Sequence, residues 1–391
     1  MTDFPSRFVN LSAARLRFGD RVDRLGHFLT KVDEPADRVV DAIESLPRGE
    51  GWRLFEQGLR GGSRAIPGAP AAMRDLLDEV AEIPAWVDWP TCDRGGEMLM
   101  RVGVLGGAVL GSQSLVLGYA SPAGNKPLVL SGRLKEQALK RLNETARFVQ
   151  AVCRPGGMRP FADGWQITVK VRLIHAQVRR MILRSGKWDD SAWGSPVNQH
   201  DMAGTTLLFS IAIMDGLRKL GVRIDSEEGE RYIHLWRWVG RVIGVDHALL
   251  PVSEQDARRL ADLIAATMAP PDQDSRDLTK ALFDAAWEGA VTPKQRRDAA
   301  RRVLFGTTLC RALVGDEMAD QLHVPRNTFR YAMPMVRRLV GGVERFTRAV
   351  PFAERSAIAA GSHYWDRVVE IGLQGATYEF ALPSALGPLA A

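Results

Sequence analysis

Two helical patterns in this chain place polar residues where an apolar face is expected, and those residues could carry chemistry. In GWQITVKVRLIHAQVRRMILRSG (164–186), Val171, Ile174, Val178 and Ile182 form an apolar stripe with His175 on its flank. His175 and Arg179 stand at i and i+4, so they share a face, and Arg172 lies one turn earlier. A neutral imidazole there can ligate a metal, and neighbouring guanidinium groups can meet an anion. A proximal haem ligand with an arginine on a propionate is one reading. A satisfied core histidine is the other. In SGRLKEQALKRLNETARFVQAV (131–152), Arg141, Glu144 and Thr145 fall at i, i+3 and i+4 and share a face with Ala138 and Phe148. Pointing such groups inward is costly unless they are paired, and a solvated face with a surface pair is the alternative.

Other routes to chemistry are scarce. HExxH, P-loop, EF-hand and GxSxG patterns are absent, and the glycines at 103, 106, 107 and 111 do not fit GxGxxG. Asp189-Asp190 and Glu227-Glu228 stand at loop-to-helix junctions and read as caps. The three cysteines, Cys92, Cys153 and Cys310, are widely spaced with no CxxC pair. Neither a disulfide framework nor a zinc ribbon follows, which suits a reducing compartment and leaves histidine as the metal ligand. The polar N-terminus shows no secretory signal, so a cytoplasmic protein is expected.

The elements that must position these residues are helical almost throughout. Apolar positions recur at three- and four-residue spacing over 12–46, with a break at Glu34-Pro35. After a Gly/Pro-rich loop (61–71), helices are predicted at 71–83, 97–119, 134–152, 165–184, 203–220, 226–244, 254–268, 275–288, 295–313 and 327–349. Clean strand alternation bounded by turn dipeptides is missing, and Asp163-Gly164 reads as a helix start. The fold class is all-α. Segment 97–119 is long enough to cross a bilayer at about 20 residues. Arg101, Ser112, Gln113, Ser114 and five glycines favour a buried central helix instead, with no stable membrane insertion.

Composition agrees: 391 residues, 46% hydrophobic and 25% charged, exclude disordered, collagen-like and coiled-coil classes. A net charge of +6 is too small, unless clustered, to imply a nucleic-acid partner. One stretch, GDEMADQLHVPRNTFRYAMPMVRRL (315–339), imitates a helix-turn-helix whose second helix would begin at Thr328. That helix carries Phe329, Met333, Met335 and Val336, an apolar set that wants a core, so a DNA-binding regulator is an alternative of lower rank. One helical unit over 1–391 is expected, with a core at about 100–345 and peripheral terminal helices.

Arg141-Leu-Asn-Glu144-Thr145, followed 34 positions after Arg141 by His175-Ala-Gln-Val-Arg179, resembles the latex-clearing-protein (rubber oxygenase) family. The wider superfamily includes the oxygenase of mycophenolic acid biosynthesis. NQHDMAGTTLLFSIAIMDGLRKLGV (198–222), YIHLWRWVGRVIGVDHALLP (232–251) and QLHVP (321–325) extend the likeness from about residue 100 to 345. The resemblance implies a b-type haem in an enlarged globin-like helical core, with His175 as proximal iron ligand and Arg141 and Thr145 on the distal side. Arg179 and Arg172 would face the cofactor, and Glu144 would act as base or gate. The implied activity is oxidative cleavage of a carbon–carbon double bond in an apolar isoprenoid, terpenoid or lipid-like molecule by O₂. A peroxidase-like enzyme or a haem sensor or carrier is the alternative within the same pocket. Two departures bear on substrate. Glu144 stands where rubber oxygenases usually carry lysine, and the family's upstream acidic residue has no counterpart at matching spacing, with Asn125 falling about there. With no export signal either, a small diffusible alkene is expected rather than an extracellular polymer.

Overall fold

Among the residues that the computed structural model describes, 4–130 and 138–373, every regular element is a helix. An isolated bridge between Phe8 and Met268 is the one strand-like pairing among them. The all-α expectation holds.

The N-terminal part comprises α1 (Leu11–Phe18), α2 (Arg21–Gly26), α3 (Glu34–Ser45), α4 (Glu50–Gly61) and α5 (Ala71–Ala81). The Glu34-Pro35 break is a helix start: Asp33 accepts from the Ala36 amide at 3.4 Å and Pro35 sits in the first turn. Sequence periodicity does not mark α4. It is rich in glycine, yet Phe55 and Leu59 bury one edge at i,i+4.

Next come α6 (Trp89–Val102), α7 (Val104–Val109), a π turn at Leu110–Ser114 and α8 (Leu115–Tyr119). The single helix expected over 97–119 is therefore broken. At Gly103 the backbone takes φ +44° and ψ −113°, and the two limbs meet at 87°. A side chain there would be strained, and the C-terminal helix presses in: a Cβ on Gly103 would sit 3.0 Å from the Gly361 Cα. No single described helix is long and apolar enough to cross a membrane, although this bent pair has the length and composition when taken together.

The remaining helices are α9 (Lys126–Leu130), α10 (Ala138–Cys153), α11 (Asp163–Ser185), α12 (Asp190–Trp193), α13 (Gln199–Phe209), α14 (Ile211–Lys219), α15 (Ser226–Val242), α16 (Glu254–Thr267), α17 (Gln273–Asp284), α18 (Pro293–Val314), α19 (Asp316–Gln321), α20 (Met333–Ala349) and α21 (Pro351–Leu373). Residues 134–137, expected to open α10, lie outside the described residues. The helix expected over 203–220 splits at Ser210, whose φ −105° and ψ −90° leave the helical region.

The core centres on α6, which packs against α10, α15 and α21. Gly95 and Gly96 let the Arg231 and Cys153 carbonyls approach its backbone. Gly361 of α21 rests on the Met100 carbonyl, and Trp365 is buried in the main core. Sequence periodicity missed α21, whose small and polar residues dilute its apolar signal.

The helix-turn-helix likeness is corrected here. A turn does follow α19, with His323 at φ +56°, but residues 328–332 form a 3₁₀ turn and the second helix begins at Met333. Phe329, Met335 and Val336, expected to seek a core, are exposed, and Met333 is half-buried. The helix is seated through Met333 and Val340, which pack against the main core, and through buried Glu344, which pairs with buried Arg101 at 2.5 Å.

Candidate functional site

Helix α11 is held to α3 by a ladder of ion pairs. Asp33, just ahead of α3, and Asp37, Asp41 and Glu44 within it recur every three or four residues, so they line one edge. Arg172 takes Asp33 through Nε–Oδ2 at 2.6 Å and Nη2–Oδ1 at 2.9 Å, and reaches Glu79 at 3.1 Å. Arg179 takes Asp37 at 2.9 Å and donates to the Val197 carbonyl at 2.8 Å. Arg180 pairs with Asp41, and Arg184 with Glu44 at 2.7 Å. The guanidinium groups of Arg172 and Arg179 are thus turned onto α3 carboxylates. The acidic edge of α3 escaped sequence reasoning, although DEPADRVVDAIE carries it openly in its spacing.

His175 projects from this anchored helix. Its Nδ1 is fully buried with no hydrogen-bond partner. Burial pushes its pKa down to about 4; the Arg179 and Arg141 charges push the same way and Asp33 opposes. The ring is therefore neutral at pH 7, the form that binds metals.

Arg141 of α10 thus lies within electrostatic reach of His175. It also acts on Tyr119 at the end of α8, where burial raises the phenol and Arg141 lowers it. Three helices bring Tyr119, Arg141 and His175 into one neighbourhood. Every residue from Arg141 to Thr145 is half-buried, whereas Phe148 to Cys153 are fully buried. Phe148 anchors the inner half of α10 edge-on to Phe209 and Trp236, at 6.0 and 6.1 Å. The Thr145 hydroxyl is spent locally, donating to the Arg141 carbonyl at 2.9 Å. Glu144 sits half-buried between them. In α7, a Cβ on Gly107 would meet the Tyr364 hydroxyl, while nothing lies within 4 Å of a Cβ built on Gly111 in the π turn.

Asn125 is fully buried and donates to the Tyr119 carbonyl at 2.9 Å and Ser275 Oγ at 3.0 Å. Of the other histidines, His200 is buried and, like His175, keeps one ring nitrogen, Nε2, without a partner, while His234 is half-buried. His200 Nδ1 lies 3.4 Å from Asp201, itself paired with Arg7 at 2.5 Å, and His234 Nε2 accepts from the Asp88 amide at 3.1 Å. Cys92 and Cys310 are buried, and burial pushes both thiols up to about 12, so neither supplies a thiolate at pH 7.

Among the described residues no three His, Cys, Asp or Glu side chains converge as a bare metal ion would require. A lone imidazole can hold iron when a macrocycle brings the other ligands, and His175, half-buried and neutral with a buried, unpaired Nδ1, is suited to that task.

Residues 97–345 match the family model described as "ER-bound oxygenase mpaB/B'/Rubber oxygenase, catalytic domain". This chain belongs to that family. The match spans both motif helices and ends within α20. A rubber oxygenase from Streptomyces sp. (strain K30) is 24% identical over 316 residues, covering 79% of this chain and 73% of that protein. The closed-state structure of the latex clearing protein LCP superposes with a TM-score of 0.66 at 19% identity, covering 87% of this chain and 90% of that one. The oxygenase family thereby accounts for the catalytic segment, and the likeness to LCP extends the shared all-α fold beyond it.

Proposed function

We propose that this oxygenase is haem-dependent and uses O₂ to cleave or oxidise a carbon–carbon double bond in an apolar isoprenoid, terpenoid or lipid-like molecule. The observation that carries the reading is His175, a neutral, half-buried imidazole whose buried Nδ1 has no partner, within electrostatic reach of Arg141 in a chain of the rubber oxygenase family. A b-type haem, when bound, supplies the activation of O₂. The chain's own residues do the rest. His175 holds the iron, and the Arg172 and Arg179 ion pairs fix the helix that presents it. Arg141, close to both His175 and Tyr119, sets the charge of the pocket and orients Glu144. Glu144 holds or accepts a proton at its carboxylate. Thr145 keeps the turn of α10 rigid through its bond to the Arg141 carbonyl. A carboxylate in place of the family's lysine favours a small substrate over a polymer.

Haem reconstitution of the purified protein tests this directly. A Soret band, O₂ consumption with unsaturated terpenoids or lipids, and two carbonyl fragments by mass analysis are expected. A protein that takes up no haem would overturn the reading. Haem uptake without O₂ consumption across the panel would leave a carrier or sensor.

A further inference from the structure

Between residues 293 and 355, thirteen Lys and Arg stand against six Asp and Glu, a net +7 in a chain whose total is +6. The rest of the protein is close to neutral, and the excess falls on α18 to the start of α21. Large exposed apolar side chains concentrate in the same stretch. On α20, Met335, Leu339, Val343 and Phe346 recur at three- and four-residue spacing and are each 63–66% exposed. Phe352, in the first turn of α21, is exposed too.

Helix α20 is seated with this ridge outward. Its inner edge sets Met333 and Val340 on the main core and adds ion pairs, Glu344 to Arg101 at 2.5 Å, and Arg348 to Asp225 at 2.5 Å and to Glu228. A surface helix normally buries its apolar edge and wets its charged one. On the side next to the ridge, Arg337, Arg338 and Arg345 line an open cleft of about 1040 Å³, with Lys219 and Arg223 on its other wall.

We propose that α20 is a docking face for an anionic membrane surface. The ridge would enter the boundary between headgroups and acyl chains, and the arginines would meet lipid phosphates, with the helix lying in the interface plane. Charge complementarity selects this occupant. A second copy of the chain would bring one strongly positive segment against another, and a polynucleotide would engage the arginines but leave the apolar ridge in water. The inference stands on these surface residues and is independent of the haem reading.

Vesicle flotation of the full-length protein tests it. The protein is expected to float with phosphatidylcholine vesicles that contain phosphatidylglycerol, to stay behind with phosphatidylcholine alone, and to be released by salt. Replacing Arg338 or Arg345 by Gln should weaken binding about fivefold each. Leu339→Gln with Phe346→Gln should abolish it while leaving the melting temperature unchanged, since both side chains are exposed. No flotation with anionic vesicles, or undiminished flotation of the Leu339/Phe346 variant, would overturn the proposal. So would a concentration-dependent dimer that the same two substitutions dissolve, which would assign the ridge to a second copy.

Discussion

Arg172 and Asp33 form a two-point ion pair, at 2.6 and 2.9 Å, with both side chains only 3% exposed. It joins α11 to the start of α3 one turn before His175. Removing one member strands a buried charge, whereas replacing both with apolar groups does not. Asp33→Ala should cost about 3–5 kcal/mol in urea unfolding, and Arg172→Met with Asp33→Leu should recover most of that. Equal losses in the single and double variants would show that the pair contributes nothing specific.

His175 should be indispensable for cofactor uptake and dispensable for folding. His175→Ala is expected to keep the helical circular dichroism of the parent and to lose the Soret band on haem reconstitution. An unchanged band would move ligation to another histidine, with His200 the first to replace.

The apoprotein should lose stability in a defined acid window. The folded pKa of His175, about 4, lies below the ordinary imidazole value of 6.5. Between those values the unfolded chain binds more protons, so stability rises with pH across the window, is complete above pH 6.5, and is lost as pH falls towards 4. The contribution is at most about 3 kcal/mol. Urea midpoints of the parent and a His175→Phe variant, compared from pH 7 to 4, should diverge over that interval and nowhere above it.

Glu144 should matter to turnover more than to binding. Glu144→Gln preserves shape and removes the titratable group, so haem uptake is expected to match the parent while O₂ consumption falls on the order of a hundredfold. Rates equal to the parent's would remove Glu144 from any proton-transfer role.

Close backbone contact between α6 and α21 leaves no space for a methyl group. A Cβ on Gly361 would land on the Met100 carbonyl oxygen, so Gly361→Ala should destabilise the fold by about 1–3 kcal/mol, visible as a lower melting temperature. Gly111→Ala, with nothing within 4 Å of its Cβ, should leave stability close to the parent's and serves as the control.

Local periodicity was enough to read the fold class, because i, i+3, i+4 spacing is written in any amphipathic helix whatever it packs against. The same spacing singled out His175 with Arg179 and Arg141 with Glu144 and Thr145, and the likeness of those motifs pointed to the oxygenase family. Contacts between distant segments decided the rest. The bend at Gly103 depends on α21 pressing against α6 from some 260 residues away. Arg172 and Arg179 look free for an anionic cofactor in their own helix, but α3 brings carboxylates to them in the tertiary structure. Residues 327–349 announce an apolar edge that sequence reasoning sends to a core. The Arg101–Glu344 pair instead turns that edge to the surface, because amphipathicity records that a helix has an apolar side and cannot record which neighbour covers it.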